Sequence, residues 1–143
     1  MPDVVDLIEQ DHREVEQLFA DFKSSNDPSI AATICDELTK HTYGEEQAVY
    51  PVVAERLSDG ASLSSEAEQE HKEARQLIGR IRNTTDRDHL RELMTELEGA
   101  IQHHVGEEER EMLPKTRQEL SADVLNDMGA QFEEAKQSAA SSG

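Results

Sequence analysis

Tryptophan is absent from this chain of 143 residues, and aromatic residues make up only 3% of it. So few rings leave little for a surface that stacks nucleobases or for an aromatic ligand pocket. Seven glycines and four prolines are too few for the many turns of a β-sandwich or a β-barrel. A single cysteine, Cys35, excludes a disulfide bond within the chain. These absences favour a helical protein.

The chain also lacks any apolar run near the ~20 residues that cross a bilayer, and no signal peptide opens it. Acidic residues outnumber basic ones by 32 to 14, and the formal net charge is −18. Such a charge repels nucleic acids and anionic membrane surfaces. We therefore expect one cytoplasmic domain that binds neither nucleic acid nor membrane.

Apolar residues recur every three or four positions, which is the spacing of one buried face on an α-helix. Four long stretches carry this pattern, and a fifth, shorter helix is expected from residue 121 to about Lys136. Short links make neighbouring helices antiparallel, so the sequence predicts an all-α, up-down-up-down four-helix bundle with a short C-terminal fifth helix. Residues 1–137 are expected to form the domain, and residues 138–143 a flexible tail.

The chain contains an internal repeat. Residues 9–18 (EQDHREVEQL) match residues 68–77 (EQEHKEARQL). Residues 41–51 match residues 104–114, because each segment begins with His-x-x-x-Glu-Glu and ends on a proline ten residues after its histidine. Each proline should kink its helix. The first two helices therefore duplicate the next two, and the bundle should have an approximate two-fold axis.

Each half of the repeat places one lone histidine and one His-x-x-x-Glu pair on the apolar face. Residues i and i+4 lie on one face of a helix, about one turn apart, so each pair should point into the core. Two buried carboxylates without a lysine or arginine beside them are unfavourable unless a cation compensates them. We therefore predict two metal ions in the core. The predicted ligands are His12, His41, Glu45, His71, His104 and Glu108.

The donor types favour iron. If both glutamates bridge and the four histidines are shared, each ion receives two nitrogen and two oxygen donors and keeps open positions. Mixed sets of this kind suit non-haem iron, whereas zinc prefers four donors in a tetrahedron. Donor type alone does not exclude manganese. We expect two iron ions with an oxo or hydroxo bridge and, without metal, raised pKa values for the two glutamates.

Four other side chains have weaker assignments. His89 is expected in solvent. His103 points about 100° away from its neighbour His104, and it is expected either in solvent or in a supporting position beside the site. Tyr43 and Tyr50 lie near the ligands in sequence, and either pack in the core or donate a hydrogen bond or an electron to the site; packing is favoured.

The order of a lone His, a His-x-x-x-Glu, a second lone His and a second His-x-x-x-Glu, one per helix, resembles the hemerythrin-like HHE cation-binding family. The match covers roughly residues 3–115. The resemblance implies a four-helix bundle with a non-haem di-iron centre that binds oxygen or related small molecules.

The resemblance to oxygen-carrying hemerythrins is incomplete. Those proteins look like His-x-x-x-His on the third helix, and their last carboxylate lies five residues after its histidine. Here Arg75 stands four residues after His71, and Glu108 lies four residues after His104. The fifth imidazole is missing, which argues against reversible O2 carriage. A pair between Arg75 and Glu16 at the edge of the site is a natural replacement; the alternative is that either side chain is simply solvated.

Three functions remain open from the sequence. The first is a redox di-iron protein that binds or reduces peroxide, O2 or NO, and catalase-like consumption of peroxide is one form of it. The second is a protein that binds or senses O2, NO or iron without turnover. The third is iron storage or handling, which the acidic surface encourages. The open positions on the two ions favour the first, with a reductase or signalling partner still to be identified.

Overall fold

The chain folds into a bundle of long helices, and the sequence prediction of an all-α, up-down-up-down bundle is confirmed. The computed structural model describes residues 2–142, and within this range it contains no strand and no helix long and apolar enough to cross a bilayer. In chain order the elements are α1 (Val4–Ser25), α2 (Pro28–Ala48), α3 (Tyr50–Arg56), α4 (Gly60–Asn83), α5 (Arg87–Glu107), a π-helical turn (Glu108–Met112), α6 (Leu113–Glu119) and α7 (Ala122–Ser142).

Aspartates fix where three of the long helices begin. Asp3 and Asp6 cap α1 reciprocally, since each side chain accepts a hydrogen bond from the backbone N–H of the other residue. Asp27 and Asp86 cap α2 and α5 by accepting from the N–H two residues further on. Each such cap contributes about 1 kcal/mol of helix stability.

The two repeated prolines interrupt their helices as predicted, but in two different ways. Pro51 follows a break, after which α3 begins at Tyr50. Pro114 follows the π-helical turn, in which the N–H of Leu113 bonds to the carbonyl of Glu108. Proline lacks an N–H and crowds the preceding turn, so the wider π turn accommodates it without ending the helix.

Two apolar clusters fill the core on either side of a buried polar layer. In α1, for example, His12 lies between Ile8 of one cluster and Val15 of the other. The predicted ligands also separate members of the two clusters along α2 and α4, and His104 and Glu108 lie between Ile101 of one cluster and Met112 of the other. Packing on both sides holds the polar layer away from solvent.

The fifth predicted helix exists, but it is longer than expected. α7 packs against α1 and α2, and it buries Met128 and Phe132. It ends at Ser142 rather than near Lys136, so the predicted boundary was wrong. Apolar periodicity fades after residue 136, but the small residues that follow include alanine, which favours a helix without needing a buried face. Of the predicted tail 138–143, residue 143 lies outside the described residues.

Candidate metal centre

The structure brings all six predicted ligands into the polar layer, and each of these residues is at most 6% exposed. Their donor atoms form two groups that share a glutamate, with the atoms of each group within 4.8 Å of one another. The first group holds His12, His41, Glu45 and Glu108, and the second holds Glu45, His71 and His104. Their role as metal ligands stays a prediction.

The two glutamates lie between the histidines. Oε1 of Glu45 is 3.2 Å from Nε2 of both His41 and His71, which belong to different groups. Glu108 also lies between the two groups. Its Oε1 is 3.2 Å from Nε2 of His12, and its Oε2 is 3.4 Å from Nε2 of His104. A carboxylate in this position can give one oxygen to each of two ions.

Four buried atoms of the first group have no hydrogen-bond partner among the described residues. They are Nε2 of His12, Nε2 of His41, Oε2 of Glu45 and Oε1 of Glu108. Some of these atoms approach one another closely, but not with hydrogen-bond geometry. A buried polar atom without a partner costs about 1–3 kcal/mol, so four in one place are unfavourable for an apolar core. Nitrogen and oxygen atoms that face one another in this way suit a shared cation.

Each imidazole is held from behind by a carboxylate. In all four, the Nδ1–H donates to an acidic side chain, and this leaves the Nε2 lone pair facing inward, as a metal-binding histidine requires. The pairs are His12–Glu109 (2.7 Å), His41–Asp11 (2.8 Å), His71–Glu46 (2.7 Å) and His104–Glu70 (2.7 Å). We call these four acids the outer carboxylates.

The outer carboxylates follow the internal repeat. Asp11 and Glu70 occupy matching positions, and each holds the histidine of the His–Glu pair in its own half. Glu46 and Glu109 also match, and each holds the lone histidine of the other half. The sequence analysis did not assign these four acids a role. Their duplication beside the predicted ligands was the signal that could have found them.

Arginines contact two of the outer carboxylates from the surface. Arg75 Nη1 donates to Glu46 Oε2 at 2.7 Å, and Arg13 donates to Glu109. The predicted pair between Arg75 and Glu16 was wrong, because Glu16 pairs with Arg13 at 3.4 Å. The reason is that α4 packs against α2, so Glu46 on α2 is the carboxylate that Arg75 meets.

The remaining histidines and one tyrosine lie towards the surface. His103 Nε2 is 3.2 Å from Glu70 Oε2, so it takes the supporting position beside the site, with 64% of its side chain exposed. His89 is at the surface, with 43% of its side chain exposed. Tyr43 is 39% exposed. Of these three residues, only His103 contacts an outer carboxylate within the part of the chain that the structure describes.

Tyr50 reaches into the site from α3, although its sequence position favoured simple packing. Its buried hydroxyl donates to Glu108 Oε2 at 2.6 Å and lies 3.1 Å from both Glu45 Oε1 and His71 Nε2. Two metal bonds of about 2.1 Å at a right angle separate their ligand atoms by roughly 3 Å, so the phenol oxygen stands where a ligand of the second group would. The repeat places Leu113 at the matching position of the other half.

Opposite charges dominate the electrostatics of the layer. Burial alone would lower the pKa of His41, but Glu45 and Asp11 raise it to about 10. Burial alone would raise the pKa of Glu45, but the surrounding histidines hold it well below its usual value, and the pKa of Glu108 is also lowered. The raised carboxylate pKa values expected from the sequence are therefore wrong, because four imidazoles lie close by. Burial and both glutamates raise the pKa of Tyr50.

A small cavity lies beside the first group of ligands. Its volume is about 20 Å³, which is enough for one water-sized molecule. Apolar side chains, three of the predicted ligand histidines and two other polar residues line it: Val15, Leu38, Ile101 and Val105, with His12, His41 and His104, and with Asp11 and Thr42. This cavity has room only for a very small molecule.

Comparison with known proteins agrees with this architecture. The family model of the hemerythrin HHE cation binding domain matches residues 3–116. A hemerythrin-like protein of Schizosaccharomyces pombe is 27% identical, over 95% of this chain and 70% of that protein. A DNA nickase of a Nostoc species is also 27% identical, over 93% of this chain but only 39% of its own length.

One solved structure shows the same fold. The crystal structure of a hemerythrin HHE cation binding domain-containing protein from Mycobacterium kansasii superposes with a TM-score of 0.82. The superposition covers 99% of this chain and 90% of that one, at 17% sequence identity.

Proposed function

This chain belongs to the hemerythrin HHE cation-binding domain family, and we propose that it is a non-haem di-iron protein that binds or reduces peroxide, O2 or NO. The observation that carries the proposal is the set of four unpartnered buried nitrogen and oxygen atoms that face one another in the core. Imidazole nitrogen and carboxylate oxygen in a mixed set with open positions are the donors of non-haem iron.

The residues divide into two metal positions. In the proposed centre His12 and His41 would hold the first ion and His71 and His104 the second, while Glu45 and Glu108, which lie between the histidines, would serve both. The Tyr50 hydroxyl would supply a further oxygen at the second position. When bound, the iron pair supplies redox electrons and coordination positions for a small oxidant.

The protein itself orients the metal-binding histidines, keeps solvent away from the site and holds a proton there. The outer carboxylates hold each Nε2 towards the centre, and the two apolar clusters keep the polar layer away from solvent. In the metal-free protein the Tyr50 O–H donates a hydrogen bond to Glu108, so the chain holds a proton at this oxygen until a metal ion binds there. A polar layer enclosed between two apolar clusters is suited to a small ligand rather than to a mineral core, which disfavours iron storage.

Peroxide is the substrate to test first. Two molecules of hydrogen peroxide give one O2 and two water molecules, so the reaction balances without an external reductant. Reduction of O2 or NO would need an electron donor. Arg75 does not replace the missing fifth imidazole, since it contacts Glu46 outside the layer, and this leaves coordination room for a substrate.

The test is to load the purified protein with ferrous iron in air, measure iron per chain by elemental analysis, and follow peroxide consumption and O2 release. We expect two irons per chain, near-ultraviolet charge-transfer bands and peroxide turnover. Glu45→Ala should lose most of the iron, because a bridge serves both ions, whereas Glu96→Ala at an exposed position of α5 should retain it. Two irons with a spectrum that responds reversibly to O2, without turnover, would instead favour the sensing function. Fewer than two irons per chain would contradict the proposal.

A further inference from the structure

The C-terminal helix lies outside the part of the chain that the family model matches, yet it reaches the metal centre. The match ends at residue 116, and α7 spans Ala122–Ser142. The fully buried ring of Phe132 meets the His41 ring edge-on, with 5.6 Å between ring centroids. One turn later, Lys136 contacts Asp11, the carboxylate that holds this histidine. α7 therefore contributes to the surroundings of the first metal position.

Lys136 contacts the site through Asp11. Its Nζ donates to both carboxylate oxygens of Asp11 at 2.8 Å. Oδ2 of the same carboxylate accepts from Nδ1 of His41, also at 2.8 Å. An ammonium, a carboxylate and an imidazole thus form one chain of hydrogen bonds that joins α7, α1 and α2.

The pair of Lys136 and Asp11 is better shielded from solvent than the pairs that the arginines make around the site. The side chains of Lys136 and Asp11 are 17% and 11% exposed. Arg13 and Arg75, which contact two other outer carboxylates, are 55% and 47% exposed. Water and salt screen exposed pairs strongly and buried pairs much less. Lys136 is therefore placed to influence its carboxylate more than either arginine does.

A glycine in α2 permits the close approach of α7. A Cβ atom at Gly44 would lie 2.9 Å from two ring carbons of Phe132 and 3.0 Å from Cγ of Lys136. Any larger residue would push both side chains away from the site. The absence of a side chain at residue 44 thus lets Lys136 reach Asp11.

We propose that Lys136 is a positioning residue for the first metal position: it neutralises and orients Asp11, and Asp11 holds His41 with its Nε2 towards the metal. The inference rests on the proposed two-metal function. α7 has no counterpart in the internal repeat, so the second position lacks this device and has Tyr50 instead. Lys136 therefore makes the two metal positions unequal.

The test compares Lys136→Met, which keeps the length of the side chain without its charge, with Lys136→Arg, which keeps the charge. Loss of a group that orients a metal-binding histidine costs about 10–100-fold in affinity, so Lys136→Met should weaken zinc binding at one of the two positions by about 10-fold. Zinc competition against a chelator measures this without turnover. In the iron-loaded protein, loss of a nearby positive charge should lower the midpoint potential.

Two controls separate positioning from a general structural effect. Lys136→Arg should restore affinity and potential, and Lys115→Met, which removes a lysine from α6, should change neither. In the Asp11→Asn background, Lys136→Met should change zinc affinity by less than about twofold, because non-additivity shows that two residues act through one another.

Equal zinc affinity and equal potential in Lys136→Met and the wild type would overturn the inference, as would an effect of the same size in the Asp11→Asn background. Both results leave the two-metal proposal standing. Wild-type protein that binds fewer than two ions would overturn the two-metal proposal itself.

Discussion

Nδ1 of His71 and Oε2 of Glu46 lie 2.7 Å apart, and this hydrogen bond joins the two halves of the internal repeat. Its two-fold counterpart joins His12 to Glu109 over the same distance. Each half therefore supplies the carboxylate that holds the lone histidine of the other half. Neither half can orient its lone histidine alone, so the duplication works only as a single bundle.

Because these two hydrogen bonds are equivalent, loss of either carboxylate should weaken metal binding to a similar extent, but at different metal positions. Glu109→Gln should weaken binding at the position of His12, and Glu46→Gln should weaken binding at the position of His71. Glutamine keeps the shape of the side chain but is a poorer acceptor than a carboxylate. We expect a loss of about 10–100-fold in zinc affinity at one position in each variant.

Competition of zinc with a chelator measures both affinities, and Glu96→Gln at an exposed position is the control. If both variants retain wild-type affinity at both positions, the outer carboxylates do not orient the histidines in the way their geometry indicates.

The helical framework and the six inner residues could be predicted because they depend on local periodicity. His41 and Glu45 are four residues apart on one helix, and the repeat gives the same spacing at His104 and Glu108. Such positions remain on one face however the helices pack. The Asp11–His41 contact is different, because it depends on how α1 meets α2 and cannot be counted along the chain.

Tyr50 shows why the rest of the site could not be predicted. It lies nine residues after His41, and nine residues of α-helix turn by about 900°, which puts Tyr50 on the opposite face. The break at Val49, whose φ is −113° and ψ is −58°, changes this direction and turns the phenol inward. Lys136 is a second case, because its contact depends on the packing of α7.

Replacement of Tyr50 should change the iron spectrum. The phenol oxygen lies at ligand-like distances from Glu45, Glu108 and His71, so we expect it to bind ferric iron as a phenolate and to give a visible charge-transfer band. Tyr50→Phe should lose this band while keeping two irons, and peroxide consumption should fall. The matched control is Tyr43→Phe, since Tyr43 is exposed. A spectrum unchanged in Tyr50→Phe would show that the phenol is only a hydrogen-bond donor.

The metal-free protein should be most stable at mildly acidic pH. The pKa of His41 rises from 6.5 to about 10 on folding, so its contribution is complete below pH 6.5 and is lost as pH rises towards 10. The pKa of Glu45 falls from 4.5, so its contribution is present above pH 4.5 and is lost as pH falls further. The stability of the metal-free protein is therefore greatest between about pH 4.5 and pH 6.5. Urea unfolding of the metal-free protein at a series of pH values measures this dependence. Equal stability at about pH 5.5 and about pH 9 would contradict the charged network.

Arg75→His tests whether the missing fifth imidazole matters at this position. If residue 75 faced the metals, this change would restore a ligand, slow peroxide consumption and prolong an oxygen adduct. The structure predicts otherwise, because the Arg75 side chain is 47% exposed and points to Glu46 outside the polar layer. A histidine there would lose the contact with Glu46, and a pair with an exposed partner is worth less than about 1 kcal/mol. We therefore expect zinc affinity and turnover to change by less than about fivefold, with no new band in the iron spectrum.

A longer-lived oxygen adduct in this variant would instead show that α4 can turn residue 75 towards the metals. The second metal position would then be more adaptable than its hydrogen bonds indicate.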